Sequence, residues 1–180
     1  GRVDWRTVLE DGRRRRVDVG ELVTSAGRRF FVNLCSLGFG ADVVRGRLPL
    51  PGPLAYAVPA FVGALRIRAA DLTLTVDGVS SECIEGPFVA VFLAKGTFAG
   101  GGMRLGAAAR LDDGHLTVLA VRKTTALGAL ARLPAAMRGR FDDPLFVVRS
   151  ATSVAVTVSP RWSVEADGEL VGETPVEARV

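Results

Sequence analysis

The stretch that decides the fold reads Ser153-Val154-Ala155-Val156-Thr157-Val158, in which valine takes every second position. Strict alternation of this kind places every second side chain on the same face and predicts a half-buried β-strand. A few residues later the chain runs from Trp162 to Ala166 and then meets the pair Asp167-Gly168. Because Asp-Gly adopts the positive φ angles that a two-residue turn requires, this segment predicts a tight hairpin.

The same period of two recurs along the rest of the chain. Alternating or apolar runs predict further strands at 17–23, 28–33, 72–76, 83–84, 88–93, 116–121, 169–171 and 176–180. Apolar residues three and four apart predict helices at 53–67 and 124–138, and a short helical turn is expected after Gly38. We therefore predict a mainly β (α+β) fold, an antiparallel β-sandwich with two or three inserted helices.

Composition excludes several classes of protein. Of the 180 residues, 48% are hydrophobic and 23% are charged, a balance typical of globular domains and not of disordered chains. The sequence has no run of about 18 uncharged apolar residues, so it predicts no transmembrane helix. The net charge is +4, and arginines are concentrated at 13–16. This run fits either an anionic partner, such as a phospholipid surface, or a solvated surface segment.

Cysteine and histidine counts limit the chemistry further. Cys35 and Cys83 lie in apolar runs, so we expect two buried thiols and no disulfide framework. His115 is the single histidine, which excludes zinc sites of the usual cysteine and histidine type. Aromatic residues make up 7% and do not alternate with the arginines, so nucleic acid is not an expected partner.

Two acidic turns and one glycine run are candidates for a functional site. The turns are Asp112-Asp113-Gly114 and Asp167-Gly168-Glu169. Ordinary hairpin chemistry accounts for both, but their carboxylates also suit a magnesium ion or a general base. The run Gly100-Gly101-Gly102 has no phosphate-binding lysine after it, so it indicates a close backbone approach either to another segment or to a phosphate.

Six segments follow one another in a recognisable order along the chain. They are 17–20 (Val17-Asp18-Val19-Gly20), 31–42 (Phe31-Val32-Asn33 through Gly38-Phe39-Gly40-Ala41-Asp42), 52–56 (Gly52 to Tyr56), Gly100-Gly101-Gly102-Met103, Asp112-Asp113-Gly114 and Asp167-Gly168-Glu169. Their order resembles the C-terminal domain of the diacylglycerol kinase and sphingosine kinase family, most of all the soluble bacterial lipid kinases. The resemblance implies a two-domain kinase whose other domain binds ATP. We therefore expect residues 1–16 to be a linker from a missing N-terminal nucleotide-binding domain and 17–180 to be the lipid-binding β-sandwich. The first residue, Gly1, agrees with this expectation because it is not methionine.

The resemblance also implies roles for individual residues. Asp113 corresponds to the carboxylate of a structural Mg²⁺ site, with main-chain oxygens of Arg110 and His115 as further ligands. Asp167 and Glu169 correspond to an acidic pair, one of which accepts the proton of the lipid hydroxyl. Gly100, Gly101 and Gly102 are expected to approach the nucleotide.

At two positions the sequence departs from the family. The family often has asparagine where Lys95 stands and proline where Ala107 stands. The Lys95 ammonium either binds phosphate or changes the site, whereas Ala107 affects only local rigidity.

The expected function is the acceptor-binding half of an ATP-dependent lipid kinase that phosphorylates a diacylglycerol-like or sphingoid hydroxyl. We expect this half to be inactive without its ATP-binding domain, with Mg²⁺ as cofactor and ATP as co-substrate. Expected partners are a lipid substrate, an anionic membrane surface, the chain's own N-terminal kinase domain and, in one alternative, a second copy of the chain. The resemblance implies a cytoplasmic location at the inner face of the membrane. The alternative function is a non-catalytic lipid-binding or regulatory module of the same fold.

Overall fold

The computed structural model describes residues 5–12, 14–46, 59, 61–63, 67–77, 81–99, 103–105 and 110–180. Within these ranges the helices are α1 (Trp5–Asp11), α2 (Phe39–Arg45) and α3 (Ala126–Met137), and residues 61–63 are also helical. The strands are β1 (Gly20–Thr24), β2 (Gly27–Phe31), β3 (Leu34–Gly38), β4 (Ala70–Asp77), β5 (Glu82–Ala94), β6 (Phe98–Ala99), β7 (Met103–Arg104), β8 (Leu116–Arg122), β9 (Phe146–Ala151), β10 (Ser153–Ser159), β11 (Ser163–Ala166), β12 (Glu169–Glu173) and β13 (Val176–Arg179).

The sheet is antiparallel at every described pairing, and β5 is its central strand. Strands follow one another in the order β12-β11-β3-β5-β4-β10-β13-β1-β2, while β8 pairs with β5 and β9 pairs with β8. The first half of β5 pairs with β4, and its second half lies between β3 and β8. Strand β5 therefore belongs to both layers of a sandwich, and the change of partner occurs near Gly86, whose φ is 131°. The predicted antiparallel β-sandwich is confirmed.

The core lies between the two layers and follows the alternation seen in the sequence. In β10 the valines at 154, 156 and 158 are buried, and they pair in register with Val76, Leu74 and Leu72 of β4. Full burial of one such aliphatic side chain stabilises the fold by about 1.5–3 kcal/mol. This strip of paired aliphatic residues therefore anchors one layer against the other.

Two of the expected helical segments are confirmed. Helix α3 begins after Thr125, whose side-chain oxygen accepts a hydrogen bond from the Gly128 N–H at 3.1 Å. Helix α2 follows Gly38 directly. Of the helix predicted at 53–67, residues 59 and 61–63 are helical and residue 67 is not. The other positions fall outside the described residues. Helix α1 lies inside the segment that was expected to be a linker.

The structure also departs from the sequence-based expectations. Strand β3 was not predicted, because its side chains are buried on both faces and show no alternation. Cys35 is buried as expected, but the expectation that Cys83 is buried is wrong. Cys83 lies beside the buried Ile84 on β5, where neighbouring side chains point to opposite faces.

Candidate functional site at one end of the sheet

Four neighbouring strands place their loops at the same end of the sheet. Strand β11 ends at Ala166, β3 begins at Leu34, β5 ends at Ala94 and β8 begins at Leu116. Ala166 pairs with Cys35, Leu34 with Ala94, and Ala94 with Thr117. The loops with Asp167 and Asp113 are thus brought to one end, separated by three inter-strand steps of about 4.8 Å, or roughly 14 Å.

Asp167 is held by the backbone that leads into β3. Its carboxylate accepts hydrogen bonds from the N–H groups of Val32 (2.7 Å), Asn33 (3.0 Å) and Leu34 (2.9 Å). Asp167 has a φ of 48° and Gly168 a φ of 93°, and Ala166 pairs with Glu169 across them. The predicted two-residue Asp-Gly hairpin is therefore confirmed, and the Asp167 side chain ties it to the neighbouring strand.

A second carboxyl group, which the sequence analysis did not single out, lies beneath this turn. Glu165 is 3% exposed, accepts a hydrogen bond from the Ser36 hydroxyl at 2.5 Å, and accepts another from the Gly168 N–H at 2.5 Å. Burial raises the pKa of Glu165, although both hydrogen bonds act in the opposite direction. The signal in the sequence was a glutamate at a buried strand position between Val164 and Ala166.

Glu169 stands on the exposed side of the same hairpin. It is the first residue of β12, and its side chain is exposed. Asp167 has both carboxylate oxygens engaged with backbone N–H groups, whereas Glu169 presents its carboxylate to solvent at the rim of the turn. Both expected acidic residues are exposed, and Asp167 is the one whose carboxylate is engaged by the backbone.

The second acidic turn surrounds a lysine. Lys95 follows β5 and is completely buried, and its Nζ lies 3.0 Å from Asp113 Oδ1, 2.7 Å from the His115 carbonyl oxygen and 2.8 Å from Asp18 Oδ2. Partial burial pushes the pKa of Asp113 upward, but hydrogen bonds from Lys95 and from the His115 N–H hold it below its usual value. The hydrogen bond from Lys95, followed by that from the Gly114 N–H, lowers the pKa of Asp18.

The oxygens that the resemblance implied as Mg²⁺ ligands thus contact a different cation, the Lys95 ammonium. Both the Asp113 carboxylate and the His115 carbonyl oxygen accept hydrogen bonds from the Lys95 ammonium. With the Lys95 ammonium between them, these oxygens do not fit Mg²⁺, because a protonated amine cannot ligate a metal ion and repels it. Arg110 lies in the same loop, where its Nε is 3.6 Å from Asp112 Oδ1. Across the described ranges, no group of three or more His, Cys, Asp or Glu residues is arranged to hold a metal ion.

Two further predictions concern the glycine run and the acyl-chain slot. Gly100, Gly101 and Gly102 lie outside the described residues, so their expected approach to the nucleotide stays a prediction. An apolar slot for acyl chains is also expected from the sequence, lined by the two predicted helices at 53–67 and 124–138. The structure has an apolar cleft of about 550 Å³ between α2 and the helical residues 61–63, and no residue of α3 lines it. Its apolar lining includes Phe39, Val62, Ile67, Val89, Pro160 and Trp162.

The cleft opens at the far end of β3 from Leu34. Gly38, which ends β3, lines the cleft and leaves no room for a side chain, because an added Cβ would lie 2.8 Å from the Trp162 ring. Four residue-to-residue steps of about 3.4 Å lead along β3 from Leu34 to Gly38, a distance of roughly 14 Å. Strand β3 thus has polar groups at one end and an apolar cleft at the other. This arrangement suits an amphipathic molecule.

Comparison with known proteins identifies the family to which the chain belongs. Residues 38–180 match the family described as the YegS C-terminal NAD kinase beta sandwich-like domain. The chain belongs to this family. It is similar to the diacylglycerol kinase of Staphylococcus haemolyticus, with 28% identity over 175 residues that cover 93% of this chain and 50% of the relative. It is likewise similar to the diacylglycerol kinase of Staphylococcus aureus (strain JH9), with 26% identity over 178 residues that cover 93% and 53%.

Solved structures agree on the fold. A crystal structure of a diacylglycerol kinase from Bacillus anthracis superposes with a TM-score of 0.65 at 18% identity, covering 96% of this chain and 53% of that one. The resemblance to the diacylglycerol kinase family is confirmed. The chain spans about half the length of the curated relatives it matches. Of the helices that the structure describes, none is long and apolar enough to cross a membrane.

Proposed function

We propose that this chain is the acceptor-binding half of an ATP-dependent lipid kinase that phosphorylates a diacylglycerol-like or sphingoid hydroxyl. The observation that carries the proposal is the hairpin at Asp167-Gly168, which presents Glu169 at the rim of a family fold found in diacylglycerol kinases. In this proposal ATP is bound mainly by a second domain, and the chain alone is inactive.

Glu169 is the general base in this proposal. The lipid hydroxyl oxygen attacks the γ-phosphorus of ATP, the bond from that phosphorus to the β-phosphate oxygen breaks, and ADP leaves. The hydroxyl proton passes to the Glu169 carboxylate as the new phosphorus–oxygen bond forms. The exposed position of Glu169 supports this role, because a base must lie within hydrogen-bond reach of the attacking hydroxyl.

Asp167 and Glu165 are positioning residues rather than catalytic ones. Asp167 fixes the turn to the backbone at Val32, Asn33 and Leu34, and Glu165 holds the Gly168 N–H from below. Holding the base in place matters because phosphoryl transfer depends mainly on positioning and on neutralising charge. Mg²⁺ bound to the nucleotide would supply part of that neutralisation.

The apolar cleft is the proposed site of an acyl chain. Its lining by Phe39, Val62 and Trp162 supports this assignment, as does its position about 14 Å along β3 from the acidic hairpin. A long hydrocarbon chain could enter the cleft while the lipid hydroxyl lies near Glu169. The lipid would then approach from a membrane surface, for which the arginines at 13–16 provide positive charge.

The experiment is transfer of labelled phosphate from ATP to diacylglycerol and, separately, to sphingosine in mixed micelles. We expect the full protein that carries this chain to phosphorylate one of these lipids, and the isolated chain to phosphorylate neither. A full protein that binds the micelles but transfers no phosphate would contradict the kinase assignment and support the alternative, a non-catalytic lipid-binding module.

A further inference from the structure

The Lys95 ammonium is surrounded by oxygen atoms that accept all of its hydrogen bonds. Its three N–H bonds have three acceptors, namely Asp18 Oδ2, Asp113 Oδ1 and the His115 carbonyl oxygen, at 2.7–3.0 Å. The side chain has no exposed surface. A buried charge is tolerated only when it is paired and hydrogen-bonded, and here both conditions are met.

The acceptors are themselves held in place from other directions. The Gly114 N–H donates to Asp18 Oδ2 at 2.7 Å, and the His115 N–H donates to Asp113 Oδ1 at 3.1 Å. The Asp18 N–H donates to the Leu111 carbonyl oxygen at 2.6 Å. The cluster of Lys95, Asp18, Asp113 and His115, which we call the lysine cluster, thus joins the segment before β1, the loop before β8 and the end of β5.

The position of Lys95 is fixed by the backbone as well. Its N–H and that of Gly96 both donate to the Asn33 carbonyl oxygen at 2.9 Å. The same Asn33 donates its N–H to Asp167. Lys95 therefore projects from a backbone position that hydrogen bonds connect through Asn33 to the acidic hairpin.

We propose that the Lys95 ammonium is the resident cation of this cluster and takes the place that a divalent metal ion would otherwise fill. The oxygens are of the kind that hard cations prefer, two carboxylates and one main-chain carbonyl. The Lys95 ammonium lies within 3.0 Å of all three oxygens and neutralises one of the two carboxylate charges. The loop that carries Asp113 is consequently ordered without any metal, and Mg²⁺ does not bind at Asp113 in this protein.

This inference does not rest on the proposed kinase activity. It follows from the distances around Lys95 Nζ alone, and its readout is stability and ion binding. Failure of the inference would leave the proposed function untouched, and failure of the kinase assay would leave the lysine cluster untouched.

The test compares thermal unfolding of the full protein in EDTA and in millimolar Mg²⁺ or Ca²⁺, without nucleotide. We expect the wild-type Tm to be the same in all three buffers. Lys95→Asn removes the ammonium and leaves the oxygens, so its Tm should fall by several degrees in EDTA and recover in part with the divalent ion. Lys123→Asn is the matched control, since Lys123 is exposed after β8. This variant should have the wild-type Tm both in EDTA and with the divalent ion.

Three outcomes would overturn the proposal. The first is a wild-type Tm that rises with Mg²⁺ and loses this response in Asp113→Asn. The second is a Lys95→Asn variant as stable as wild type in EDTA, and the third is a destabilised Lys95→Asn variant that no divalent ion restores. If Lys95→Asn does not fold in any buffer, calorimetric titration of the wild-type protein with Mg²⁺ decides. A heat of Mg²⁺ binding that is present in the wild type and lost in Asp113→Asn would contradict the proposal. The absence of any such heat in the wild type would support it.

Discussion

Asp167 and Leu34 are joined by two hydrogen bonds that run in opposite directions. The Asp167 N–H donates to the Leu34 carbonyl oxygen at 2.8 Å, and the Leu34 N–H donates to Asp167 Oδ1 at 2.9 Å. The turn that carries Glu169 is therefore an extension of the pairing between β11 and β3. The backbone of such a turn is held as firmly as the sheet itself, and this fixes the point from which the Glu169 side chain projects.

Replacing Asp167 should weaken the fold as well as activity. Asp167→Ala leaves three N–H groups without their acceptor and places alanine at a φ of 48°, so we expect a loss of about 1–3 kcal/mol in the free energy of unfolding. Asp167→Asn should lose less, because asparagine tolerates this φ and its oxygen can still accept from Asn33 and Leu34. Urea unfolding measures both. An alanine variant as stable as wild type would show that the carboxylate does not hold the turn.

Substitutions of Glu165 should change the free energy of unfolding through lost hydrogen bonds more than through the lost negative charge. Glu165→Met removes the acceptor for the Gly168 N–H and the Ser36 hydroxyl, and should cost about 1–3 kcal/mol of unfolding free energy. Glu165→Gln should cost less, since its amide oxygen can accept from Gly168 and its amide N–H can donate to Ser36. Chemical unfolding of the two variants at the same pH distinguishes them. Equal losses would mean that the negative charge itself is required.

The lysine cluster should make stability depend on acid pH. The pKa values of Asp18 and Asp113 are lowered in the folded protein, so their contribution is complete above the ordinary aspartate pKa of about 3.9. It is lost as the pH falls through the lowered folded values. We expect the free energy of unfolding to decline below about pH 4, and Lys95→Met to make this decline shallower. Lys123→Met is the control, and an acid decline of the same slope in both variants would contradict the assignment.

The apolar cleft should determine the preferred acyl-chain length. Val62 is 44% exposed at the cleft, so Val62→Trp should fill part of the 550 Å³ without disturbing the core. In the full protein we expect a higher KM for long-chain diacylglycerol and little change for a short-chain analogue, with the same kcat. Val148→Trp, at a comparably exposed position on β9, is the control. An unchanged KM for both lipids would remove the cleft from lipid binding.

Local sequence patterns predicted the parts of the fold that depend on local chemistry. The alternation at 153–158 gives β10, and the Asp167-Gly168 pair gives a two-residue hairpin. Strand β3 and the continuity of β5 were not predictable in this way. Leu34–Gly38 is buried on nearly all sides, and Gly86 and Pro87 interrupt the pattern of a strand that nevertheless runs through both layers.

Contacts between distant residues account for what the sequence did not predict about the site. Asp167, Glu169 and Asp113 were identified as candidates from motifs, His115 and Arg110 were added by the family resemblance, and the sheet brings their loops to one end. The structure adds Asp18, which lies 77 residues from Lys95 in sequence, and the buried Glu165. A lysine that pairs with two aspartates cannot be distinguished from an exposed lysine by local pattern, because only the register of β5 against β3 and β8 buries it.

The most direct test of the account is the rate of phosphate transfer by Glu169→Gln in the full protein. We expect kcat to fall by about 10²–10⁴, the usual contribution of a general base, while the Tm stays at the wild-type value. Glu173→Gln, at the other end of the same exposed strand, should leave both unchanged. A Glu169→Gln enzyme that turns over lipid within a few-fold of wild type would contradict the assignment of the base.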